Sequence, residues 1–258
     1  MGRGKRKHVK LRAPVTSQGH KNHSDREIID KVHQLNQKIA AGEDVPKSAR
    51  LEIEKAGGIN AYQVASQRGE RKAKYGNFTS AVWVTKQLKS CGLKPKDGRL
   101  RLLDVGAVTL QYEPFSSWIE CEAIDLNPQH RAIIKADATQ YKSSPFNVIV
   151  LSLVLNFTGD AVERGAILRN CRRLQVDGGH LFVVLPLKCL INSRLFTTER
   201  LDMIMSSLGY KSLLCHQSKK LSFHMFELAA PDRKETFSRK TLKRGPGMNK
   251  FEIILETS

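Results

Sequence analysis

Alternation between short apolar segments and helical segments is the feature that most restricts the fold of this chain. From residue 100 onward, apolar segments of strand length are separated by longer segments with apolar residues at helical spacing. Such alternation predicts parallel strands joined by crossover helices. The strand candidates are 100–105, 121–125, 132–136, 146–151 and 180–185, and the helix candidates between and after them are 160–174 and 197–208.

Two closely spaced strand candidates follow the alternating part of the chain. Residues 210–216 and 221–228 are expected to pair as an antiparallel hairpin. The sequence therefore predicts an α/β fold with a mostly parallel sheet and an antiparallel hairpin at its edge. Residues 251–255 also have strand character, so the sequence leaves open whether they or residues 221–228 form the last strand of the sheet.

Each of the first three predicted strands ends at or just before an acidic residue. The first ends in Asp104-Val-Gly106, the second ends on Asp125, and the third is followed by Asp137 and Ala138. Ligands of open α/β sheets bind where parallel strands end, and a glycine there lets the backbone approach a ligand closely. Asp104 could accept from an ammonium or hydroxyl group, Asp125 from the hydroxyls of a ribose, and Asp137 from the exocyclic amine of an adenine. One such aspartate is more often a helix cap or turn former, but three in succession predict a nucleoside site.

The part of the chain before residue 93 has a different pattern. Ser24 and Glu27 form a capping box that predicts a helix start, and helical periodicity returns several times up to a helix starting near Thr79. We therefore expect a basic disordered tail over 1–23, a small helical unit over 24–92 and an α/β domain over 93–258. That last domain contains a basic excursion at 231–250.

Positive charge is concentrated near both ends of the chain. The formal net charge is +18, and residues 1–26 carry eight Lys or Arg against one acid. This charge favours a polyanionic partner, nucleic acid before an acidic membrane surface. No apolar run approaches the ~18 residues that a membrane helix needs, so no membrane span is expected. The basic run 3–12 could be a nuclear localisation signal, an RNA-contacting arm, both, or a solvated tail with no such role.

The five cysteines carry little sign of a site. They are scattered along the chain and include no C-x-x-C pair. This usage predicts reduced thiols in an intracellular protein and no metal centre.

The strand-end motifs resemble those of Rossmann-like S-adenosylmethionine-dependent methyltransferases. Leu102–Gly106 is similar to the first motif of that family and Ile124-Asp125 to the second, while Leu151–Phe157 falls where the family has its substrate-facing motif. More closely, residues 24–258 resemble the fungal nucleolar methyltransferases that modify adenine N1 in large-subunit (25S) ribosomal RNA. The features that carry this closer likeness are GGxxxYQxAS at 57–66, DxG, IDLNP, AD, SLVLNF, and RGP followed by NKF near residue 250.

This resemblance implies a cofactor, a substrate and a location. The cofactor would be S-adenosyl-L-methionine, bound by Asp104, Gly106, Asp125, Asp137 and Ala138. The substrate would be large-subunit rRNA, either free or within a preribosome, and a monomeric enzyme would methylate it in the nucleolus of the nucleus.

Adenine N1 has a free lone pair at neutral pH, so its methylation requires no strong base. A group that accepts from the exocyclic amine would orient the ring, and Asn156 is the candidate for this catalytic role. A helix-capping turn residue is the other interpretation of Asn156.

Two departures from the methyltransferase pattern stand out. Val108 and Thr109 occupy positions where a second glycine is common, and only about a turn separates Pro128 from the third strand candidate. The wall that would bind the methionine part of the cofactor must therefore be built differently.

Two other functions are consistent with a strand-end nucleoside site. A non-catalytic S-adenosylmethionine sensor that regulates a signalling complex would need the same Gly106 and Asp125, although it would not need basic termini. An NAD-dependent oxidoreductase is disfavoured because no G-x-G-x-x-G follows the first strand.

Overall fold

A seven-stranded sheet organises the part of the chain that the computed structural model describes, residues 79–256. The order of its elements along the chain is α1 (Ser80–Ser90), β1 (Leu100–Val105), a 3-10 turn (Glu113–Phe115), β2 (Ile119–Asp125), β3 (Ile134–Lys135), β4 (Phe146–Ser152), α2 (Ala161–Arg173), β5 (Gln175–Pro186), α3 (Lys188–Ile191), α4 (Thr198–Ser207), β6 (Tyr210–Gln217) and β7 (Leu221–Leu228).

The strands lie in the order β3-β2-β1-β4-β5-β7-β6. Strands β1 to β5 are parallel, and β7 is antiparallel to both of its neighbours, β5 and β6. The predicted α/β class, the mostly parallel sheet and the antiparallel edge hairpin are confirmed. Since β7 runs opposite to both β5 and β6, strand β6 runs in the same direction as β1 to β5. The turn between β6 and β7 therefore lies at the same edge as the carboxyl ends of β1 to β5.

The three longer helices begin at capping side chains. Thr79, Asp160 and Thr197 each have extended backbone angles, and the side chain of each accepts a backbone N–H of the first turn of its helix. Such caps satisfy donors that have no partner within the helix. The apolar faces of these helices are buried, so cap and periodicity together explain why the sequence predicts them.

The two faces of the sheet are covered by different elements. Helix α1 packs on one face, where the Trp83 ring meets Phe182 edge-on at a centroid distance of 5.6 Å. Helices α2 and α4 cover the other face together with residues 237–255, and Phe196, Phe226 and Leu255 are buried there.

Residues 251–255 answer the question that the sequence left open. They do not join the seven-stranded sheet, whose last strand in chain order is β7. They run instead across α2: the Ile254 N–H donates to Ala161 O at 3.0 Å, and Phe237 and Leu255 form an isolated antiparallel bridge. A Cβ at Gly165 would lie 1.9 Å from Ile254 O, so glycine is what lets this segment approach α2.

The early crossovers are unusually short. Only one 3-10 turn lies between β1 and β2, and no helix separates β2 from β3 or β3 from β4. Strand β3 contains two residues, which is shorter than the predicted 132–136, whereas β5 starts at Gln175 rather than at residue 180. The short connection after Pro128 is therefore present, as the sequence indicated.

Several sequence predictions fall outside the described residues. They are the basic tail 1–23, the Ser24 capping box and the helical segments up to residue 78. The division into domains at residue 92 stays a prediction. In residues 79–256, no helix combines the length and apolar character needed to cross a bilayer.

Candidate functional site

The carboxyl edge of the sheet brings the first strand end against the loop after β4. Gly106 has a φ of +70°, and its N–H and that of Ala107 donate to Ile124 O at 2.8 and 3.0 Å. A Cβ at Gly106 would lie 2.8 Å from Cγ2 of Val154. Any side chain at position 106 would therefore be strained by the backbone and would also push on Val154.

Asp104 is buried within β1, with 5% of its surface exposed. It lies close enough to Tyr112 and Cys121 to affect both: desolvation raises the pKa of the buried Tyr112 and of the thiol of the otherwise exposed Cys121, and the charge of Asp104 raises both further. The neighbouring thiol and phenol therefore remain protonated beside this carboxylate. Asp104 is thus placed inside the strand, one pleat before the ligand-binding edge.

Asp125 ends β2 next to the first motif. Its Oδ1 accepts the Asn127 N–H at 2.7 Å, and its carbonyl accepts the Ala136 N–H at 3.0 Å. Burial raises the pKa of its carboxyl group above the ordinary value, and the Asn127 hydrogen bond opposes this shift. The residue is half-buried at the level where β1, β2 and β3 end.

Asp137 is more exposed than Asp125. Its Oδ1 accepts both the N–H and the hydroxyl of Thr139 at 2.8 Å, and so the residue forms a local turn after β3. The carbonyl of the next residue, Ala138, accepts from Nδ2 of Asn170 at 2.7 Å. The buried Asn170 of α2 thus fixes the backbone of this turn.

The loop after β4 contains the most unusual polar group of the site. Both amide atoms of the Asn156 side chain are buried and have no hydrogen-bond partner among the described residues. Buried amides are nearly always hydrogen-bonded, and each unmade bond costs about 1 to 3 kcal/mol. Leu153, at the start of the loop, has a φ of +59°, a conformation rare for a leucine and concentrated at functional sites.

Arg164 of α2 holds this loop in place. Its Nε donates to Leu155 O at 2.8 Å, and its Nη2 donates to Thr158 O at 2.7 Å. Its Nη1 donates to Glu252 O at 2.7 Å, which connects the loop to the C-terminal segment. Burial lowers the pKa of the guanidinium, which still remains charged at any physiological pH.

Sequence reasoning did not find Arg164 or Asn170. A single arginine or asparagine on a predicted helix usually faces solvent. The carbonyls that Arg164 and Asn170 bind lie outside the helix, so the helix sequence does not reveal them. The one available signal was that both fall on a helix otherwise predicted to be buried against the sheet. No three His, Cys, Asp or Glu side chains in the described part of the chain are grouped to hold a metal ion.

The structure brings Gly106, Asp125 and the loop of Asn156 to one edge of the sheet. Ala138 and Asp137 follow β3 at that same edge, and Asp104 lies one residue behind it within β1. Both amide atoms of Asn156 lack a hydrogen-bond partner among the described residues, and a catalytic role is one of the recognised reasons for such a buried group.

Comparison with known proteins assigns the family. A family model described as "25S rRNA (adenine(2142)-N(1))-methyltransferase, Bmt2" matches residues 47–253. The chain belongs to this family. The match to the Bmt2 family includes all strand-end residues discussed above and the Asn156 loop.

Two yeast relatives have names that agree with the Bmt2 family. The 25S rRNA (adenine(2142)-N(1))-methyltransferase of Saccharomyces cerevisiae is 30% identical over 222 residues, which are 79% of this chain and 62% of that protein. The 25S rRNA adenine-N(1) methyltransferase of Schizosaccharomyces pombe is 29% identical over 234 residues, 83% of this chain and 84% of that protein. The chain thus spans less than two thirds of the Saccharomyces relative.

A solved structure supports the fold. The 1,6-didemethyltoxoflavin-N1-methyltransferase of Burkholderia thailandensis, crystallised with 1,6-didemethyltoxoflavin and S-adenosylhomocysteine, has a TM-score of 0.50 and 14% identity. The similarity covers 73% of this chain and 93% of that one. The predicted Rossmann-like methyltransferase sheet is therefore confirmed as a fold.

Proposed function

We propose that this chain transfers a methyl group from S-adenosyl-L-methionine to N1 of an adenine in 25S rRNA. The observation that carries the proposal is the family match over residues 47–253, because it includes both strand-end motifs and the loop of Asn156. The yeast relatives named for this activity support the same substrate. The unpartnered amide at the carboxyl edge gives the proposal a specific chemical role to test.

Asp125 and Gly106 are the residues that would hold the cofactor most directly. The second carboxylate oxygen of Asp125 would accept from the ribose hydroxyls, while its Oδ1 keeps the Asn127 N–H. The missing side chain at Gly106 leaves backbone where a ligand can approach closely. Asp104, Asp137 and Ala138 would complete the site around the methionine ammonium and the adenine.

When bound, S-adenosyl-L-methionine would supply a sulfonium methyl group that a neutral ring nitrogen can accept, with S-adenosylhomocysteine as the leaving group. The protein's task is then to position the acceptor base. Asn156 would do so because its Oδ1 can accept from the exocyclic amine of adenine and leave the N1 lone pair free. Contact of this kind would satisfy the amide oxygen that the described residues leave without a partner.

The acceptor adenine must be unpaired when it is methylated. N1 lies on the Watson–Crick edge, so a base within a helix would have to be flipped into the site or be single-stranded already. We therefore propose that the enzyme, as a monomer, acts on accessible rRNA in the nucleolus, before or within preribosome assembly. The net charge of +18 is suited to such a substrate.

The decisive experiment is nucleoside mass spectrometry of rRNA from cells with and without the gene. Cells that lack it should lose one 1-methyladenosine from 25S rRNA, and the wild-type gene should restore it. A gene encoding Asn156→Ala should not restore it, although that protein should bind the cofactor normally. Unchanged levels of every methylated base would contradict the enzyme and favour the cofactor sensor.

The cofactor part of the proposal has a separate test. Asp125→Asn keeps an oxygen for the Asn127 N–H but removes the charge, so we expect cofactor affinity to fall about 10- to 100-fold by calorimetry. Asp177→Asn, at an exposed position near the opposite edge, is the matched control and should bind normally. Equal affinity in the two variants would rule out Asp125 as the ribose acceptor.

A further inference from the structure

Three basic segments meet at the carboxyl edge of β5. They are 186–194 after β5, 217–221 at the turn between β6 and β7, and 238–250 in the C-terminal excursion. Together they contain nine Lys or Arg and no Asp or Glu. These stretches are far apart in sequence, so their shared edge is a property of the fold and not of a local charge run.

Hydrogen bonds fix the first two segments to each other. The Leu187 N–H donates to Lys220 O at 2.8 Å, which places the β6–β7 turn directly beside the start of α3. Lys188, Lys219 and Lys220 are all exposed at this junction. The backbone of the turn is itself closed by Ser218, whose N–H donates to Leu221 O at 2.8 Å.

The third segment is held against the same region from the other side. Nδ2 of Asn249 donates to Lys188 O at 2.8 Å, and the Leu242 N–H donates to Arg194 O at 2.8 Å. The Asn249 N–H donates to Asn192 O at 2.9 Å, and Nδ2 of Asn192 donates to Gly247 O at 3.2 Å, which keeps residues 242–249 in a defined position. Lys240 and Arg244 are exposed on the third segment.

This surface lies next to the loop of Asn156. Strand β5 pairs with β4 in register Ser152 to Val184, and the Leu153 N–H donates to Val184 O at 3.0 Å. The C-terminal segment also returns to that loop immediately after residue 250, through the bond between Arg164 and Glu252 O. A polyanion bound to these cations would therefore lie beside the loop that carries the unpartnered Asn156 amide.

We infer that Lys188, Lys219, Lys220, Lys240 and Arg244 form a phosphate-binding platform that docks the RNA backbone beside the acceptor-base site. The inference rests on the proposed function for the identity of the polyanion. Exposed cations in segments that contain no Asp or Glu suit the sequence-independent contacts that position a nucleic acid. Base selection is left to the site at the strand ends.

The test compares two charge-matched triple variants of the full chain. The platform variant carries Lys188→Gln, Lys220→Gln and Arg244→Gln. The control variant carries Lys96→Gln, Lys142→Gln and Lys211→Gln at exposed positions near the opposite edge. Both lose three positive charges, so any difference between them reports position and not net charge.

Binding of a fluorescein-labelled, unstructured 30-nucleotide RNA is measured by anisotropy between 50 and 200 mM KCl. Each phosphate contact with single-stranded RNA contributes about 0.7 to the slope of log K against log salt. The platform variant should lose about 2 from this slope and at least tenfold in affinity at 100 mM KCl, and the control should lose less than threefold. Equal losses in both variants, or none in the platform variant, would overturn the inference, as would a wild-type chain that does not bind this RNA.

Cofactor calorimetry separates this inference from the proposed function. Both variants should bind S-adenosyl-L-methionine as the wild type does and should have the same melting temperature. If the wild-type chain binds RNA through the platform but neither binds the cofactor nor methylates a 25S transcript, the proposed function fails and the platform stands. If methylation occurs and the platform variant binds RNA normally, the platform inference fails and the proposed function stands.

Discussion

Arg164 offers the sharpest test of how the Asn156 loop is positioned. We expect Arg164→Met to lower the free energy of unfolding by about 3 kcal/mol. The guanidinium makes three short hydrogen bonds, to the carbonyls of Leu155, Thr158 and Glu252, which are worth about 1.5 kcal/mol each. Methionine avoids the cost of burying a cation, so the net loss is smaller than the sum of these bonds.

The kinetic consequence distinguishes positioning from mere stability. The three hydrogen bonds of Arg164 act as a clamp on the loop. Loss of this clamp frees the backbone that carries Asn156, and a misplacement of about 1 Å can cost on the order of 100-fold in rate. In fully folded protein, kcat for methyl transfer should therefore fall 10- to 100-fold, while cofactor affinity should stay within about threefold. Urea denaturation, steady-state kinetics and calorimetry measure the three quantities.

Arg169→Met is the matched control on the same helix. Arg169 pairs with Asp232 at 3.1 Å and does not touch the Asn156 loop, so we expect a loss of about 1 kcal/mol and unchanged kcat. Arg164→Lys keeps the charge but cannot reach three carbonyls, and it should resemble Arg164→Met in kcat. Full activity of the lysine variant, or equal effects of both methionine variants, would refute the clamp.

Three further predictions follow from buried groups. Asn156→Leu removes an unpartnered amide, so urea denaturation should show a gain of about 1 kcal/mol in stability while rRNA methylation is lost; a loss of stability would mean that the amide has a protein partner. Burial lowers the pKa of His224 to about 4, so the unfolded chain takes up a proton first as pH falls, and stability should decline by about 3 kcal/mol between pH 6.5 and pH 4. His224→Phe should remove most of that decline, and an unchanged pH dependence would contradict it. Gly165→Ala should destabilise the protein by about 2 kcal/mol despite the better helix propensity of alanine, because its Cβ meets Ile254 O; limited proteolysis should then cut the C-terminal segment faster, and wild-type resistance would disprove the contact.

The sequence predicts those elements whose signals are local. The sequence predicts helix α2 over 160–174, and the helix occurs as Ala161–Arg173, because its Asp160 cap and its apolar spacing are both contained in the segment. Strands β1 and β4 were located in the same way, since their apolar residues are contiguous. The aspartates and Gly106 were recognisable because strand ends fix where they must lie.

Features that depend on distant partners were not predictable. Residues 251–255 have strand character, yet their hydrogen-bond partners include Ala161, Arg164 and Phe237, which no periodicity can reveal. The left-handed conformation of Leu153 is imposed by its surroundings and not by its residue type. The substitution Gly106→Arg, a natural choice from sequence alone for blocking the cofactor, would also disturb the backbone and Val154, so Asp125→Asn is the cleaner probe.

The clamp formed by Arg164 affects the order in which parts of the protein can fold during synthesis. Leu155 and Thr158 are synthesised within a few residues of Arg164, but Glu252 follows 88 residues later. Until that residue leaves the exit tunnel, the guanidinium lacks one of its carbonyl partners and the α2 surface at Gly165 lacks the backbone of Ile254. Contacts between such distant residues form late, so the acceptor-base loop acquires its final geometry only near the end of synthesis. A nascent chain that already holds the whole seven-stranded sheet is thus still without a finished site.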